Sequence, residues 1–224
     1  MELNRYIDHT ILKADSVVSD IDTVCSEALE YSFASVCVNG CHVPRVAEAL
    51  KGSSVACCTV VGFPLGAMSS IAKTAEAEAA VRSGADEIDM VINISFLKDG
   101  RHDLVREEIA AIRTVCGDRI LKVILETCYL TDAEKKTACE ISVEAGADFV
   151  KTSTGFGTGG ATLADVALMK RMVGDRARVK ASGGIRDRES ALKFIEIGAE
   201  RLGTSSGVAI IKGNAGSAGN SGIY

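Results

Sequence analysis

The sequence predicts a single (β/α)8 TIM barrel, and three observations carry this prediction. Eight apolar, strand-like runs alternate with longer helical patterns at a spacing of about thirty residues, which is what one strand and one crossover helix need. Three helix ends repeat the same Gly-Ala-acid connection directly before a strand. No strand is followed by the GxGxxG or GxxxxGK-S/T motif that the competing fold, an open doubly wound sheet with a nucleotide crevice, would need.

The predicted strands begin near residues 6, 34, 55, 87, 119, 149, 178 and 201. Each is a short run rich in Val, Ile and other apolar residues, a pattern typical of strands in a parallel sheet that is covered on its faces. In chain order the eight runs are YIDHTIL, ASVCVN, VACCTVVG, EIDMVINI, RILKVILE, FVKTS, RVKASG and RLGTSS.

The helices between these strands have recognisable starts and ends. TDAE at 131–134 and TLAD at 162–165 are interpreted as capping boxes, with an acid three residues after the threonine, and SDID at 19–22 is similar. The three Gly-Ala-acid connections carry glycines that can adopt the left-handed conformation which closes a helix. These glycines are Gly84, Gly146 and Gly198.

One domain is expected. No linker, composition break or low-complexity block interrupts residues 1–212, so this segment is predicted to form the barrel. The last segment, 213–224, has the sequence GNAGSAGNSGIY and is rich in Gly, Ser and Asn. Segments of this composition are flexible, so we predict a mobile C-terminal tail.

Composition argues against several classes of function. A net charge of −5 without a basic cluster, 4% aromatic residues and no Trp argue against nucleic-acid binding. The N-terminus lacks the pattern of a signal peptide, and no apolar stretch is long enough to span a membrane, so we expect no membrane partner. The eight cysteines lie mostly in apolar segments and form no CxxC pair, which indicates reduced thiols in a cytoplasmic protein.

Side-chain alternation along the strands predicts charged residues inside the barrel. The apolar phase of each strand faces the helices, which leaves the other phase for the interior. The interior charges predicted in this way are Asp8, Asp89, Lys122, Glu126, Lys151 and Lys180. Such groups are rarely buried without partners. For Lys122 and Glu126, which share one strand face, membership of a paired salt-bridge network that merely fills the centre is the structural interpretation.

Lys151 and Lys180 lie on neighbouring strands, near the strand ends where barrels of this kind form active sites. Two ammonium groups this close disfavour each other's charge, so one amine can be neutral near pH 7. A neutral buried amine is a nucleophile toward carbonyl groups. The pattern predicts Schiff-base chemistry with Asp89 as a proton carrier, and a purely structural role for the two lysines is the alternative.

The loops after the last two strands predict an anion site. SGGI follows the seventh strand, and TSSG follows the eighth and leads into the short apolar helix VAIIKG. Glycines let a phosphate approach backbone N–H groups, and these two loops often hold phosphate in barrels of this kind. The candidates are Gly183, Gly184, Ser205 and Ser206, and the first two have ordinary turn glycines as their structural alternative.

With these residues the sequence resembles the deoxyribose-phosphate aldolase family, whose members are class I aldolases with a (β/α)8 fold. The similar runs extend over essentially the whole chain and are YIDHTILK, FASVCVN, VVGFPLG, GADEIDMVIN, KVILET, AGADFVKTSTGF, VKASGGIR and GTSSGVAI. The resemblance implies reversible cleavage of 2-deoxy-D-ribose 5-phosphate to D-glyceraldehyde 3-phosphate and acetaldehyde. It implies these small molecules as partners, and neither a metal nor an organic cofactor.

The resemblance also implies a role for each matching residue. Lys151 would form the Schiff base, Lys180 would perturb it and help to move protons, and Asp89 would act as general acid and base through a bound water. The residues expected to position the substrate and its phosphate, or to lie beside the site, are Thr154, Gly155, Gly183, Gly184, Ser205, Ser206, Asp8, Thr10 and Cys37. The family also suggests a C-terminal tyrosine that folds over the site, and this chain ends in Tyr224.

Three other functions and one question of assembly remain open at this point. A Schiff-base barrel enzyme of another specificity, such as a transaldolase-like enzyme, would use the same lysine. A metal-dependent class II aldolase would need ligands, and the only histidines, His9, His42 and His102, show no ligand spacing. A non-catalytic sugar-phosphate-binding barrel would keep the loops and hold the lysines as structural charges. A homodimer is one open assembly, because the sequence does not distinguish an exposed apolar interface from the core.

Overall fold

The computed structural model describes residues 2–213 and contains a closed barrel of eight parallel strands. Each strand pairs with the next one in sequence and the last pairs with the first, so the sheet has no open edge. The strands are β1 (Ile7–Ile11), β2 (Ser35–Val38), β3 (Ala56–Val61), β4 (Glu87–Val91), β5 (Ile120–Ile124), β6 (Phe149–Lys151), β7 (Arg178–Ser182) and β8 (Arg201–Thr204). The predicted (β/α)8 barrel is confirmed, and every predicted run contains its strand.

Helices surround this barrel. Within residues 2–213 the α-helices are α1 (Val18–Tyr31), α2 (Val43–Ala49), α3 (Ser70–Arg82), α4 (Ile94–Lys98), α5 (His102–Cys116), α6 (Asp132–Glu144), α7 (Leu163–Val173), α8 (Arg188–Glu196) and α9 (Gly207–Lys212). In that same part of the chain, none of the helices combines the length and the apolar character that crossing a membrane requires. The short helix α4 is an addition to the regular β–α alternation, and α9 is the predicted VAIIKG helix.

The main hydrophobic core lies between the sheet and the helices. The outward-facing strand residues Ile88, Met90, Val150 and Val179 are fully buried there, as the alternation pattern predicts. Burying each such side chain contributes about 1.5–3 kcal/mol. A second, smaller apolar cluster lies inside the barrel and consists of Leu12, Cys37, Cys58 and Val60, with Phe63 and Phe156 packed against it. The charged residues therefore share the barrel interior with a limited apolar lining.

The capping predictions hold in part. Thr131 caps α6 in a full capping box, since its hydroxyl accepts the Glu134 N–H and the Glu134 carboxylate accepts the Thr131 N–H. The SDID prediction is wrong, because α1 begins at Val18, before that motif. The Asp20 carboxylate accepts the N–H of Val17 at 2.9 Å and so stabilises the earlier start.

The glycines of the three repeated connections have positive φ angles, as predicted. The angles are 105° at Gly84, 86° at Gly146 and 110° at Gly198. At Gly198 a side chain is also excluded by space, because a Cβ there would lie 2.7 Å from Cγ of Lys170. These turns let the helices return directly to the start of the next strand, which keeps the barrel short and closed.

Candidate active site

Seven charged side chains meet at the centre of the barrel, and none of them is more than 8% exposed. They are Asp8 on β1, Glu87 and Asp89 on β4, Lys122 on β5, Lys151 on β6, Lys180 on β7 and Arg201 on β8. Lys151 and Lys180 are register partners on adjacent strands, as the sequence predicts. The alternation of the strands therefore brings charges from six strands into one buried cluster.

Asp89 is the centre of this cluster, and both of its carboxylate oxygens accept from ammonium groups. Lys122 Nζ donates to Oδ1 at 2.7 Å. Oδ2 is shared by Lys151 Nζ at 2.8 Å and Lys180 Nζ at 2.7 Å. The two lysines that the sequence indicates as reactive are thus linked through one carboxylate oxygen, and Asp89 lies where a proton carrier between them would have to lie.

The remaining charges form a layer below Asp89. Arg201 bridges two carboxylates, with Nη1 2.5 Å from Asp8 Oδ1 and Nη2 3.0 Å from Glu87 Oε1. Glu87 also contacts Lys122 Nζ at 2.5 Å, and Asp8 contacts the ammonium group of Lys180. Charge pairs of this kind offset the cost of removing each ion from water only because every member has several partners. This layer fixes Lys122 and Lys180 as ammonium ions.

The three lysines of the cluster differ in their number of ion-pair partners. Within residues 2–213, Lys151 makes an ion pair with Asp89 alone, whereas Lys122 and Lys180 each contact at least two carboxylates. Lys151 is therefore the lysine with the fewest ion-pair partners, and it is the last residue of β6.

The same contacts explain the direction of two pKa shifts. Burial disfavours the ionised form of Asp89, but Lys122, Lys151 and Lys180 outweigh it and hold the pKa of this carboxyl well below its usual range. Burial also opposes the charge of Lys180, but Asp8 and Asp89 outweigh it and raise the pKa of Lys180 above its ordinary value. Lys180 is therefore held as an ammonium ion.

Two thiols lie beside Asp89. Cys37 and Cys58 are register partners on β2 and β3, and the Cys58 thiol donates to Asp89 Oδ1 at 3.3 Å. Interaction with the Cys58 side chain lowers the pKa of Cys37, while burial raises the pKa of Cys58 well above its usual value. Both sulfur atoms and an Asp89 oxygen lie within 4.8 Å of one another, a donor set that a thiophilic metal could use. The three ammonium groups on Asp89 oppose a cation at that position.

The salt-bridge network expected for Lys122 and Glu126 is present at Lys122, which pairs with Asp8, Glu87 and Asp89, but the part of the prediction that concerns Glu126 is wrong, because Glu126 does not pair with Lys122. Glu126 follows β5 in the left-handed conformation, with φ 55° and ψ 64°, which turns its side chain away from the strand's alternation. Its carboxylate accepts the N–H of Thr154 at 3.1 Å and also the Thr154 hydroxyl. Burial raises the pKa of Glu126. Thr154 is thereby held in the loop that follows Lys151.

The loops after β6 and β7 touch at two glycines. A Cβ on Gly160 would lie 2.3 Å from the carbonyl oxygen of Gly183, and a Cβ on Gly183 would lie 2.9 Å from Cα of Gly160. The N–H of Ala161 donates to the carbonyl oxygens of Ser182 and Gly183, each at 3.0 Å. Glycine is required on both sides of this contact, which fixes one predicted anion loop against the loop that follows Lys151.

The other predicted substrate residues lie around the mouth of the barrel. Thr154 is buried and Gly155 is half-buried, whereas Gly184 and Ser205 are exposed and Ser206 is half-buried. Thr10 is buried, and its hydroxyl donates to the carbonyl oxygen of Asp8 at 2.8 Å. Tyr224 and the predicted tail, apart from Gly213, lie outside the described residues.

Three residues of this region, Glu87, Arg201 and Cys58, were missed by the sequence interpretation. Glu87 and Arg201 are the first residues of their strands and look like exposed ends, although each is in phase with an inward residue two positions later. Cys58 belongs to an apolar run and carries no signal of its contact with Asp89. Ser153 lies two residues after Lys151, and its buried hydroxyl has no hydrogen-bond partner among residues 2–213.

The chain has the closed (β/α)8 architecture, in which active sites form at the carboxyl ends of the strands, and Lys151 is the last residue of β6. The model of the DeoC/LacD family aldolases matches residues 3–216. A deoxyribose-phosphate aldolase of Finegoldia magna is 60% identical over 213 residues, covering 95% of this chain and all of that protein. The corresponding protein of Streptococcus uberis is 59% identical over 215 residues, covering 96% and 98%.

Two solved structures agree with this match. The aldolase QR15 superposes with a TM-score of 0.90 at 44% identity, over 94% of each chain. The tetrameric deoxyribose phosphate aldolase of Aeropyrum pernix superposes with a TM-score of 0.86 at 30% identity, over 94% of this chain and 89% of that one. The chain belongs to the DeoC/LacD family of aldolases, and within it to the deoxyribose-phosphate aldolase group, which are carbon–carbon lyases.

Proposed function

We propose that this aldolase reversibly cleaves 2-deoxy-D-ribose 5-phosphate to D-glyceraldehyde 3-phosphate and acetaldehyde through a Schiff base on Lys151. The observation that carries the proposal is the position of Lys151, whose amine has one carboxylate partner and shares it with Lys180, 2.8 Å and 2.7 Å from the same oxygen. The names of the relatives support the substrate, and the single ion pair of Lys151 at the end of β6 supports its assignment as the reactive amine.

In this mechanism the amine of Lys151 attacks the C1 aldehyde of the open-chain sugar. Loss of water gives an iminium ion, which accepts the electron pair of the C2–C3 bond as that bond breaks. Glyceraldehyde 3-phosphate leaves, and an enamine of acetaldehyde remains on the lysine. Protonation of the enamine carbon and hydrolysis of the resulting imine release acetaldehyde and restore the amine. No metal or organic cofactor takes part.

Asp89 and Lys180 would move the protons of these steps. The low pKa of Asp89 keeps it ionised, which is the form that accepts the proton of the C3 hydroxyl through a water molecule. When the neutral enamine forms, Asp89 loses one positive neighbour and becomes a stronger base. Lys180, bound to the same oxygen, is the adjacent ammonium ion from which a proton can be supplied.

The phosphate of the substrate would bind at the mouth of the barrel, beside the loops after β7 and β8. Gly183 and Gly184 have φ angles of 89° and 84°, and a Cβ on Gly184 would have nothing within 4 Å, which leaves room for an anion to approach the backbone there. Ser205 and Ser206 offer hydroxyl groups on the loop after β8, and Thr154 and Gly155 lie on the adjacent loop after β6. Tyr224 is proposed to assist proton transfer, which unchanged turnover and unchanged α-proton exchange in Tyr224→Phe would contradict.

Borohydride trapping tests this proposal. The protein is incubated with 2-deoxyribose 5-phosphate and sodium borohydride in EDTA, digested, and mapped by peptide mass spectrometry. We expect a reduced adduct on Lys151, because borohydride reduces an imine to a stable secondary amine. A sample without sugar phosphate is the control for background reduction.

The outcomes separate the alternatives. Turnover in EDTA without an adduct on any lysine would contradict the Schiff base and leave the aldolase activity standing. An adduct with products other than glyceraldehyde 3-phosphate and acetaldehyde would indicate another sugar-phosphate specificity. Binding of the sugar phosphate with neither turnover nor adduct would favour a non-catalytic binding barrel.

We also propose a cytoplasmic, self-associating enzyme. All eight cysteines are free thiols in the structure, which fits a reducing compartment. The Aeropyrum pernix relative is a tetramer, and a homodimer is the assembly that we propose for this chain. Light scattering coupled to size-exclusion chromatography measures the mass directly, and a monomer mass at micromolar concentration would contradict the dimer.

A further inference from the structure

We propose that Glu126 is a positioning residue for the sugar phosphate: its carboxylate holds the loop from Thr154 to Gly160 in the shape that receives the substrate. The inference rests on the proposed function, because the substrate it concerns is the one proposed for Lys151. It assigns to a buried carboxylate a role that is separate from imine formation.

The backbone of Glu126 indicates that its position is imposed by its surroundings. Glu126 is 2% exposed and has a φ of 55°, a conformation that residues with a Cβ rarely adopt. The only other described residue of this kind, within 2–213, is Ser32, which ends helix α1. Glu126 ends no helix. Such strain persists where the surrounding structure fixes it, and it is concentrated at functional sites.

The contacts of Glu126 extend along the loop that follows Lys151. Its Oε1 accepts the Thr154 N–H at 3.1 Å, and its Oε2 accepts the Thr154 hydroxyl. The Thr154 hydroxyl oxygen in turn accepts the N–H of Phe156 at 3.0 Å. Gly155 lies between two residues that are held in this way. The carboxylate therefore determines how the backbone at Gly155 is presented.

Close packing fixes the middle and the far end of this loop. A Cβ on Gly157 would lie 2.9 Å from Sγ of Cys128 and 3.2 Å from Cδ of Glu126. Immediately before Gly157, Phe156 packs edge-on against Phe63 with ring centroids 5.1 Å apart. At its far end the loop is fixed by the contact of Gly160 with the loop after β7. A change at Glu126 is thus transmitted to a loop that is in contact with the proposed phosphate site.

The position of Lys151 does not depend on the Glu126 side chain. The backbone N–H groups on either side of Glu126 bind β6 and its extension: Leu125 donates to the carbonyl oxygen of Lys151, and Thr127 donates to that of Thr152, both at 2.9 Å. These bonds are independent of the carboxylate. Loss of the carboxylate is expected to weaken sugar-phosphate binding and to leave the chemistry of the Lys151 amine in place.

Glu126→Gln tests the inference, because an amide keeps the size of the side chain but has one oxygen where the carboxylate has two. We expect KM for 2-deoxyribose 5-phosphate to rise about tenfold, the effect of losing one charged hydrogen bond. We expect trapping of acetaldehyde on Lys151 by borohydride to stay within about twofold of the wild-type rate, since acetaldehyde has no phosphate to position.

The matched control is Glu108→Gln. Glu108 is also buried and accepts from Lys73 Nζ at 2.8 Å, but it lies on α5, outside the barrel interior. This variant should unfold at lower urea concentration without a change in KM. An unchanged KM in Glu126→Gln would overturn the inference. So would a fall in the rate of acetaldehyde trapping as large, in fold-change, as the rise in KM.

A readout without substrate separates this inference from the proposed function. Amide hydrogen exchange in the peptide that covers residues 154–160 should accelerate in Glu126→Gln and remain at the wild-type rate in Glu108→Gln. If the wild-type protein neither turns over the sugar phosphate nor forms the adduct, the proposed function fails and the exchange rates still decide whether Glu126 holds the loop. Unchanged exchange in Glu126→Gln would contradict the holding role, whatever the turnover.

Discussion

Both oxygens of Asp89 are occupied by ammonium groups, and Lys151 and Lys180 share Oδ2. Lys180→Leu removes the ammonium ion that supplies protons in the proposed mechanism. Without it, the proton transfers beside Lys151 should be slower. We expect kcat/KM to fall by about 100-fold or more near neutral pH. The pH–rate profile measures this, and a near-normal rate and profile would exclude the proposed role of Lys180.

Asp89 also has a structural role, which the uncharged variant Asp89→Asn should reveal. Asp89→Asn leaves Lys122, Lys151 and Lys180 with one fewer buried carboxylate, and unpaired buried charges are costly. The free energy of unfolding should fall by about 3–5 kcal/mol, measured by urea denaturation. The control is Asp22→Asn, which breaks an exposed pair with Arg45 and should cost far less. Equal losses in the two variants would contradict a cluster held together by Asp89.

At the scale of elements, the loops after β6 and β7 are joined by a close contact between Gly160 and Gly183. Gly160→Ala would place a Cβ 2.3 Å from the Gly183 carbonyl oxygen, so one loop must move. We expect a loss of about 1–3 kcal/mol in the free energy of unfolding, the usual cost of overpacking, together with a raised KM for the sugar phosphate. Gly40→Ala, where a Cβ would have nothing within 4 Å, should change neither quantity. A wild-type KM in Gly160→Ala would show that sugar-phosphate binding does not depend on the contact between the two loops.

The strands were predictable from the sequence where their alternation is regular. Asp89, Lys151 and Lys180 lie inside the barrel as predicted, because a side-chain period of two determines the face once one apolar phase is known. The prediction failed at Glu126, since a left-handed residue that ends a strand leaves no signal unless it is glycine. The partners of Lys122 were also hidden, because they come from other strands whose register the sequence does not reveal.

At the scale of the whole molecule, neutral thiols are buried in the layer around the charged centre, and they make stability depend on pH in the alkaline range. Burial raises the pKa values of Cys25 and Cys116 to about 11, and those of Cys57 and Cys139 to about 12. In the unfolded chain thiols ionise near pH ~8.5. Between these values the unfolded chain releases protons that the folded protein keeps. Stability is therefore complete below about pH 8.5 and is lost as pH rises toward the folded pKa values.

Cys139→Ala tests this account through the slope of the free energy of unfolding against pH. The variant removes one of these titrating thiols, so its free energy of unfolding should fall less steeply with pH between about pH 9.5 and 11, by up to about 1.4 kcal/mol per pH unit. The methyl-sized cavity costs the same at every pH and leaves the slope untouched. Cys41→Ala is the control, because this thiol is exposed and its loss should leave the slope at the wild-type value. Urea denaturation in reducing buffer at several pH values gives all three slopes, and equal slopes for Cys139→Ala and wild type would mean that buried thiol ionisation does not drive alkaline unfolding.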